Sequence, residues 1–78
     1  MTRVRVFLAD DHPVFIEGLA RAVTEHPGME VVGTASDGRE AIAGIRRLLP
    51  HVAVLDVKMP GLTGIEVTQE IVSGMVGA

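Results

Sequence analysis

The chain has 78 residues and a mass of 8.3 kDa, and 7 basic against 10 acidic side chains give it a net charge of -3. It has no cysteine and no long apolar run, so disulfides, thiolate metal sites, a signal peptide and a membrane span are not expected, and the expected location is cytoplasmic. The excess of acidic residues leaves no basic patch, and two Phe without Trp or Tyr provide no platform for base stacking. This chain alone is therefore not expected to bind DNA.

The first half of the chain predicts two strands with a helix between them. Residues 3–9 begin as an alternation and end as a continuous apolar run, which is typical of a strand buried on both faces. Residues 13–25 carry apolar side chains at helical spacing, and Pro27-Gly28 ends that pattern. A β-branched run over residues 30–35 predicts the second strand, which leads into a Ser-Asp-Gly turn.

The second half of the chain continues the alternation. Residues 38–49 predict a helix with one apolar side, and Pro50 follows it. Residues 52–56 predict a third strand that ends in an aspartate. After a Met-Pro-Gly loop, residues 63–73 predict the last helix, whose end is expected to fray at Gly74 and Gly77.

This βαβαβα order predicts an α/β fold with a parallel sheet and crossover helices. Right-handed crossovers allow the spatial strand orders 1-2-3 and 2-1-3, and the second order places helices on both faces of the sheet. The first strand is the most apolar on both sides, as a central strand should be, which favours a doubly wound sheet of order 2-1-3. Such a sheet has a crevice at the carboxyl ends of strands one and three.

Three aspartates follow the two strands that border this crevice. Asp10 and Asp11 come directly after the first strand, and Asp56 ends the third, so we expect their carboxylates to converge. Three neighbouring carboxylates stay ionised only beside a cation, and Mg²⁺, a hard ion with oxygen ligands, fits this requirement. An aspartate beside Mg²⁺ can also attack a phosphoryl group and form an acyl phosphate. The sequence therefore predicts a metal-assisted phosphate site.

Each candidate residue also has a purely structural explanation. Asp11 precedes His12-Pro13 and could cap the first helix, and Asp56 could be a turn residue bonded to its own backbone. Lys58 is most simply a solvated charge, so that its main chain matters more than its side chain. Capping accounts for only one member of the aspartate pair, whereas the joint placement of the three aspartates favours a site.

The remaining polar motifs predict no further chemistry. His12, His26 and His51 have no metal-binding spacing to one another, so they are not expected to be ligands. The turns at residues 36–38 and 61–64 lack the lysine of a phosphate loop and the spacing of a dinucleotide fingerprint, so nucleotide binding is not predicted.

Three motifs together form a recognisable pattern. They are Ala9-Asp10-Asp11-His12-Pro13-Val14-Phe15 with Gly18-Leu19, Gly33-Thr34-Ala35 leading to Asp37-Gly38-Arg39-Glu40-Ala41, and Leu55-Asp56-Val57-Lys58-Met59-Pro60-Gly61 with Gly64 and Glu66. The pattern spans nearly the whole chain and resembles the receiver domain of bacterial two-component response regulators, most closely those with a C-terminal LuxR/NarL-type helix-turn-helix domain. The resemblance implies a flavodoxin-like (CheY-like) fold, of which this sequence is expected to hold three of five βα units and to be truncated after the third.

The resemblance implies a role for four residues. Asp56 matches the phosphoacceptor, Asp10 and Asp11 match the acidic pair that holds Mg²⁺, and the backbone carbonyl of Lys58 matches the third protein ligand. A sensor histidine kinase would donate the phosphoryl group, and the full-length protein would regulate transcription. In the family, the response passes through a Ser or Thr after strand four and a Lys after strand five, and DNA is bound by a separate output domain. None of these positions is expected in this chain.

Two other functions stay open at this stage. The chain could be a phosphorylation-incompetent fragment that pairs with itself or with another receiver, and loss of Mg²⁺ affinity would favour that interpretation. A small Mg²⁺-dependent phosphatase is less favoured, because neither a general acid nor a substrate-binding Arg stands near the site. As a regulatory phosphoacceptor, the protein is not expected to be an enzyme beyond self-phosphorylation and self-dephosphorylation.

The third strand and the first helix predict self-association. In order 2-1-3, residues 52–55 lie at the sheet edge, although their composition is that of an interior strand without Lys or Pro. The resemblance implies that a fifth helix would cover part of the apolar stripe of the first helix, formed by Phe15, Ile16, Leu19 and Val23. We therefore expect a dimer or larger assembly, joined through the third-strand edge or through exchanged elements.

Overall fold

The computed structural model describes residues 3–56, 59–61 and 63–76. In this part of the chain the strands are β1 (Val4–Ala9), β2 (Met29–Ala35) and β3 (Val52–Leu55), and the helices are α1 (Pro13–Glu25), α2 (Gly38–Leu48) and α3 (Gly64–Val76). The strands form a parallel sheet in the order β2-β1-β3. The predicted α/β fold with strand order 2-1-3 is confirmed.

The central strand β1 is buried on both of its faces. Successive side chains of a strand point to opposite faces, so Phe7 and Ala9 share one face and Val6 and Leu8 share the other. Phe7 and Ala9 belong to the main core cluster, which also contains Ala35, Ala41, Met59 and Val67 from β2, α2, the loop before α3 and α3 itself. Val6 and Leu8 are equally buried, and α1 packs against β1 and β2. The sheet therefore carries helices on both faces, as predicted.

The strand ends differ by one residue from those predicted. β2 begins at Met29 instead of residue 30, because Met29 pairs with Val4, the first residue of β1. β3 ends at Leu55 instead of residue 56, since Leu55 is the last residue paired with β1. The backbone N–H of Asp56 still donates to the carbonyl oxygen of Ala9 at 2.9 Å, so the residue after the strand stays attached to the sheet.

The helix ends have local causes as well. α2 begins after Asp37, whose carboxylate accepts from the Glu40 N–H at 2.8 Å, and it ends at Leu48 because Leu49 adopts a left-handed φ of 49°. α3 begins at Gly64 and continues through Gly74 to Val76, beyond the predicted end. A glycine weakens a helix by about 1 kcal/mol but keeps its backbone hydrogen bonds, so it need not end the helix.

Within the described residues, one edge of the sheet and one side of α1 remain partly uncovered. β3 has a paired neighbour on one side, and Val52 and Val54 of this strand are 44% and 43% exposed. α1 has no fully buried residue, and its Phe15 is 55% exposed. The predicted position of β3 at the sheet edge is confirmed, and apolar surface is exposed on both β3 and α1.

Candidate functional site

The register of the sheet brings the aspartates together. Ala9 of β1 is paired with Leu55 of β3, so Asp10 and Asp56 each directly follow one residue of the same pair. The N–H of Asp10 donates to the carbonyl oxygen of Ala35 at 3.1 Å, and the N–H of Asp56 donates to that of Ala9. Backbone hydrogen bonds therefore anchor both residues at the carboxyl end of the sheet.

Four side chains meet at this edge of the sheet. Ligand atoms of Asp10, Asp11, His12 and Asp56 all lie within 4.8 Å of one another. Asp10 is buried and Asp56 is partly buried, whereas the His12 side chain is 71% exposed. The predicted convergence of three carboxylates is present, and an imidazole joins them.

Asp10 and His12 are joined by two hydrogen bonds. The backbone N–H of His12 donates to Asp10 Oδ1 at 2.9 Å, and the imidazole Nδ1 lies 2.6 Å from the same oxygen. Because an ionised carboxylate only accepts hydrogen bonds, the hydrogen of this second bond belongs to Nδ1. The bond from His12 lowers the pKa of Asp10, although burial opposes it. The same bond, followed by the negative charges of Asp11, Asp10 and Asp56, raises the pKa of His12.

Asp11 contributes an oxygen without a hydrogen-bond partner. Its Oδ1 is buried and lies 3.0 Å from His12 Nδ1, yet it accepts no hydrogen bond within the described part of the chain. The alternative in which Asp11 caps the first helix is wrong, because His12 occupies the N-cap position of α1 and no side chain forms a cap hydrogen bond there. A buried carboxylate oxygen that accepts no hydrogen bond is costly unless a cation lies beside it, and either protonated His12 or a metal ion can be that cation.

The donor set fits a hard divalent cation. Three carboxylates supply oxygen ligands, and Asp11 Oδ1, which accepts no hydrogen bond within the described residues, lies among the other ligand atoms of the cluster. Mg²⁺ prefers oxygen ligands of this kind in an octahedral shell. Lys58, whose backbone carbonyl is the remaining predicted ligand, lies outside the described residues.

The sequence interpretation missed the place of His12 in the cluster. The spacing of the three histidines to one another is uninformative. The informative feature is that His12 directly follows the pair Asp10-Asp11. The other two histidines contact backbone. His26 Nδ1 accepts from the Gly28 N–H at 3.2 Å, and His51 Nδ1 accepts from the Arg5 N–H at 2.9 Å.

An open hollow of about 720 Å³ adjoins the carboxylates. Its wall combines the polar residues of the site with apolar residues of α1, namely Asp10, His12, Val14, Phe15, Gly18, Leu19 and Asp56. The site therefore opens onto the incompletely covered face of α1. No helix within the described residues is both long enough and apolar enough to span a membrane.

Known proteins share both the sequence and the fold. Residues 6–75 match the response regulator receiver domain family. The "probable transcriptional regulatory protein NarL" of Mycobacterium tuberculosis is 45% identical over 69 residues, which are 88% of this chain and 32% of that protein. A protein-glutamate methylesterase/protein-glutamine glutaminase of Geobacillus kaustophilus is 41% identical over 71 residues, which are 91% of this chain and 20% of that protein.

A solved receiver structure has the same fold as this chain. The signal receiver domain of NarL from Mycobacterium tuberculosis superposes with a TM-score of 0.94 at 43% identity, covering 96% of this chain and 60% of that one. The chain thus spans about a third of the length of the NarL relative and somewhat over half of a solved receiver chain. The sheet order, the cluster at its carboxyl edge and these matches lead to one conclusion: the chain belongs to the response regulator receiver domain family.

Proposed function

We propose that this chain is a phosphoacceptor module of a two-component phosphorelay, in which Asp56 receives the phosphoryl group and Asp10 and Asp11 hold Mg²⁺. The observation that carries the proposal is the pairing of Ala9 with Leu55, which places the aspartates after both strands side by side. The backbone carbonyl of Lys58 is the proposed additional ligand. The donor is a sensor histidine kinase, the location is cytoplasmic, and DNA is bound only through an output domain outside these 78 residues.

The proposed phosphoryl transfer requires a bound cation and a nucleophilic carboxylate. Asp10 and Asp11 hold the cation, which supplies positive charge to the oxygens of the incoming phosphoryl group. A carboxylate oxygen of Asp56 attacks the phosphorus, a new O–P bond forms, and the bond between phosphorus and the donor's phosphohistidine nitrogen breaks. The electron pair of that broken bond stays with the nitrogen, and Asp56 becomes an acyl phosphate. The protein therefore acts as a regulatory acceptor rather than as an enzyme with turnover.

Mg²⁺ binding tests the site directly. We expect Mg²⁺ to raise the melting temperature of the chain, because a ligand that binds only the folded state stabilises it. Asp56→Asn should abolish most of that increase. Asp37→Asn is the matched control, because it removes one carboxylate outside the cluster and asparagine caps a helix as well as aspartate does. An undiminished Mg²⁺ effect in Asp56→Asn would exclude Asp56 from the site.

Labelling with a small phosphodonor tests the chemistry. The strands of the described chain are β1, β2 and β3. These strands supply no counterpart of the fifth-strand lysine that would stabilise the negative charge of the transferred phosphoryl group. We therefore expect labelling of Asp56 to be slow or absent in this chain. Fast, stoichiometric labelling, located at Asp56 by mass spectrometry, would show that the additional βα units are dispensable for the chemistry. Release of phosphate over many turnovers would instead favour the phosphatase alternative.

The open sheet edge supports a second proposal, in which two copies of this chain associate through β3. Among the described strands, β3 pairs with β1 alone, which leaves its other side open, and half-exposed Val52 and Val54 lie along it. Sedimentation at increasing concentration should show a dimer or a larger assembly. Val54→Lys should shift the chain toward monomer, whereas Ala43→Lys, at an exposed position of α2, should not. A well-folded monomer of 8.3 kDa at every concentration would contradict the proposal.

A further inference from the structure

The imidazole of His12 contacts one oxygen of Asp10 and one oxygen of Asp11, both of which a cation shared by the two aspartates could bind. Its Nδ1 is 2.6 Å from Asp10 Oδ1 and 3.0 Å from Asp11 Oδ1, so a single N–H group stands between the two carboxylate oxygens. A Mg²⁺ ion that binds both oxygens would lie about 2.0–2.1 Å from each of them. An ion bound to these two oxygens would therefore compete with the N–H group for them.

We propose that His12 closes the metal site in the unloaded protein and that Mg²⁺ binds only after the imidazole has left Asp10. This inference rests on the proposed Mg²⁺ site and adds a competitor from within the chain. The imidazole donates one hydrogen bond to Asp10, and that bond is lost when the ion takes the oxygen. His12 therefore lowers the affinity for Mg²⁺, even though it lies among the ligand atoms.

The surroundings of His12 allow this movement. Its side chain is 71% exposed, so the ring can rotate into solvent without opening the core. The backbone N–H of His12 donates separately to Asp10 Oδ1, and this second bond keeps the loop before α1 in place when the ring moves. Asp11 Oδ1 has no hydrogen-bond partner in the described chain and gains a ligand when the ion arrives. The exchange thus replaces the contacts of one N–H group with coordination of two carboxylates.

Mg²⁺ titrations of three variants test the proposal. His12→Ala should bind Mg²⁺ about three- to tenfold more tightly than the parent chain, which is the range that corresponds to one net hydrogen bond. His12→Asn should restore affinity close to that of the parent, because its side-chain amide can present an N–H near the position of Nδ1. His26→Ala is the matched control, since it removes an imidazole that accepts a hydrogen bond from the backbone of its own loop.

Isothermal titration calorimetry gives the affinities, and the ring nitrogen resonances of His12 provide a second readout in the parent chain. These resonances should shift on Mg²⁺ addition, while those of His26 should stay unchanged. Equal affinity in the parent chain and in His12→Ala would overturn the role of His12 and leave the Mg²⁺ site intact. Weaker binding by His12→Ala would overturn it too, because the imidazole would then be a ligand. Absence of Mg²⁺ binding in every protein would contradict the site and the inference together.

Discussion

Two helical glycines allow the same substitution to be tested in opposite surroundings. A Cβ atom added at Gly44 of α2 would lie 2.5 Å from Cε2 and 2.6 Å from Cζ of Phe7, far inside normal contact distance. A Cβ added at Gly18 of α1 would meet no atom within 4 Å. Glycine to alanine should therefore stabilise α1 and destabilise the packing of α2 against the sheet.

The magnitudes follow from two competing effects. Alanine in place of glycine within a helix gains about 1 kcal/mol, and at Gly18 nothing opposes that gain. At Gly44 the added methyl group overpacks the core, which costs about 1–3 kcal/mol. Phe7 is only 1% exposed, and its ring also faces Gly33, where a Cβ would lie 3.0 Å from it. The ring cannot easily move, which places the overpacking cost in the upper part of its range, so we expect Gly44→Ala to lose about 1–2 kcal/mol after the helical gain is subtracted.

Urea unfolding followed by circular dichroism, at one low protein concentration, measures both free energies of unfolding. In thermal melts, a change of 1 kcal/mol corresponds to about 4–8 °C for a domain of this size. Adding Phe7→Leu to Gly44→Ala should recover part of the loss, because the smaller side chain leaves room for the methyl group. If Gly44→Ala stabilised the chain as much as Gly18→Ala, the close packing of Gly44 against Phe7 would be refuted.

Three further predictions concern pH, a helix cap and the last helix. The lowered pKa of Asp10 and the raised pKa of His12 imply that their hydrogen bond stabilises the fold fully between pH 3.8 and 6.5, the ordinary pKa values of the two groups. This stability is lost as the pH falls through the folded-state pKa of Asp10 or rises through that of His12. In urea unfolding at several pH values, His12→Ala should therefore remove the decline in the free energy of unfolding above pH 6.5. Asp37→Ala should cost about 1 kcal/mol, since it deletes the cap of α2, and Asp37→Asn should not, which the same unfolding assay checks. Val67→Ala should cost about 2 kcal/mol, because this fully buried side chain loses two methyl groups, whereas Val72→Ala, at a half-exposed position of the same helix, should cost far less in parallel melts.

The central position of β1 could be predicted because its apolar residues are not restricted to alternate positions. A strand that ends in Val-Phe-Leu-Ala must be covered on both faces, and this requirement alone favoured order 2-1-3 over 1-2-3. The convergence of Asp10 and Asp56 then followed from the topology, because parallel strands end at the same edge of a sheet. Local pattern and strand order were sufficient for these features.

Other features depend on three-dimensional detail that no sequence pattern contains. The register of β1 against β2 shifts between Val6 and Phe7, so that Phe7 pairs with Gly33. The periodicity of the sequence does not predict such an irregularity. The orientation of the His12 ring depends on its hydrogen bond to Asp10, which forms only once the loop before α1 has its folded shape. The contact between Gly44 and Phe7 likewise arises from the approach of α2 to the sheet.

The pairing of β1 with β3 also sets the order in which the molecule can be assembled during synthesis. Asp10 and Asp56 are 46 residues apart, so the ribosome must add that length of chain before the last carboxylate of the site exists. At about 5–20 residues per second, the interval is about 2–9 s. During this time β1, whose last four residues are all apolar, lacks one of its two neighbours. A nascent chain that contains β1 but not β3 exposes apolar surface of the kind that chaperones bind, and its acidic site is complete only once Asp56 has been added.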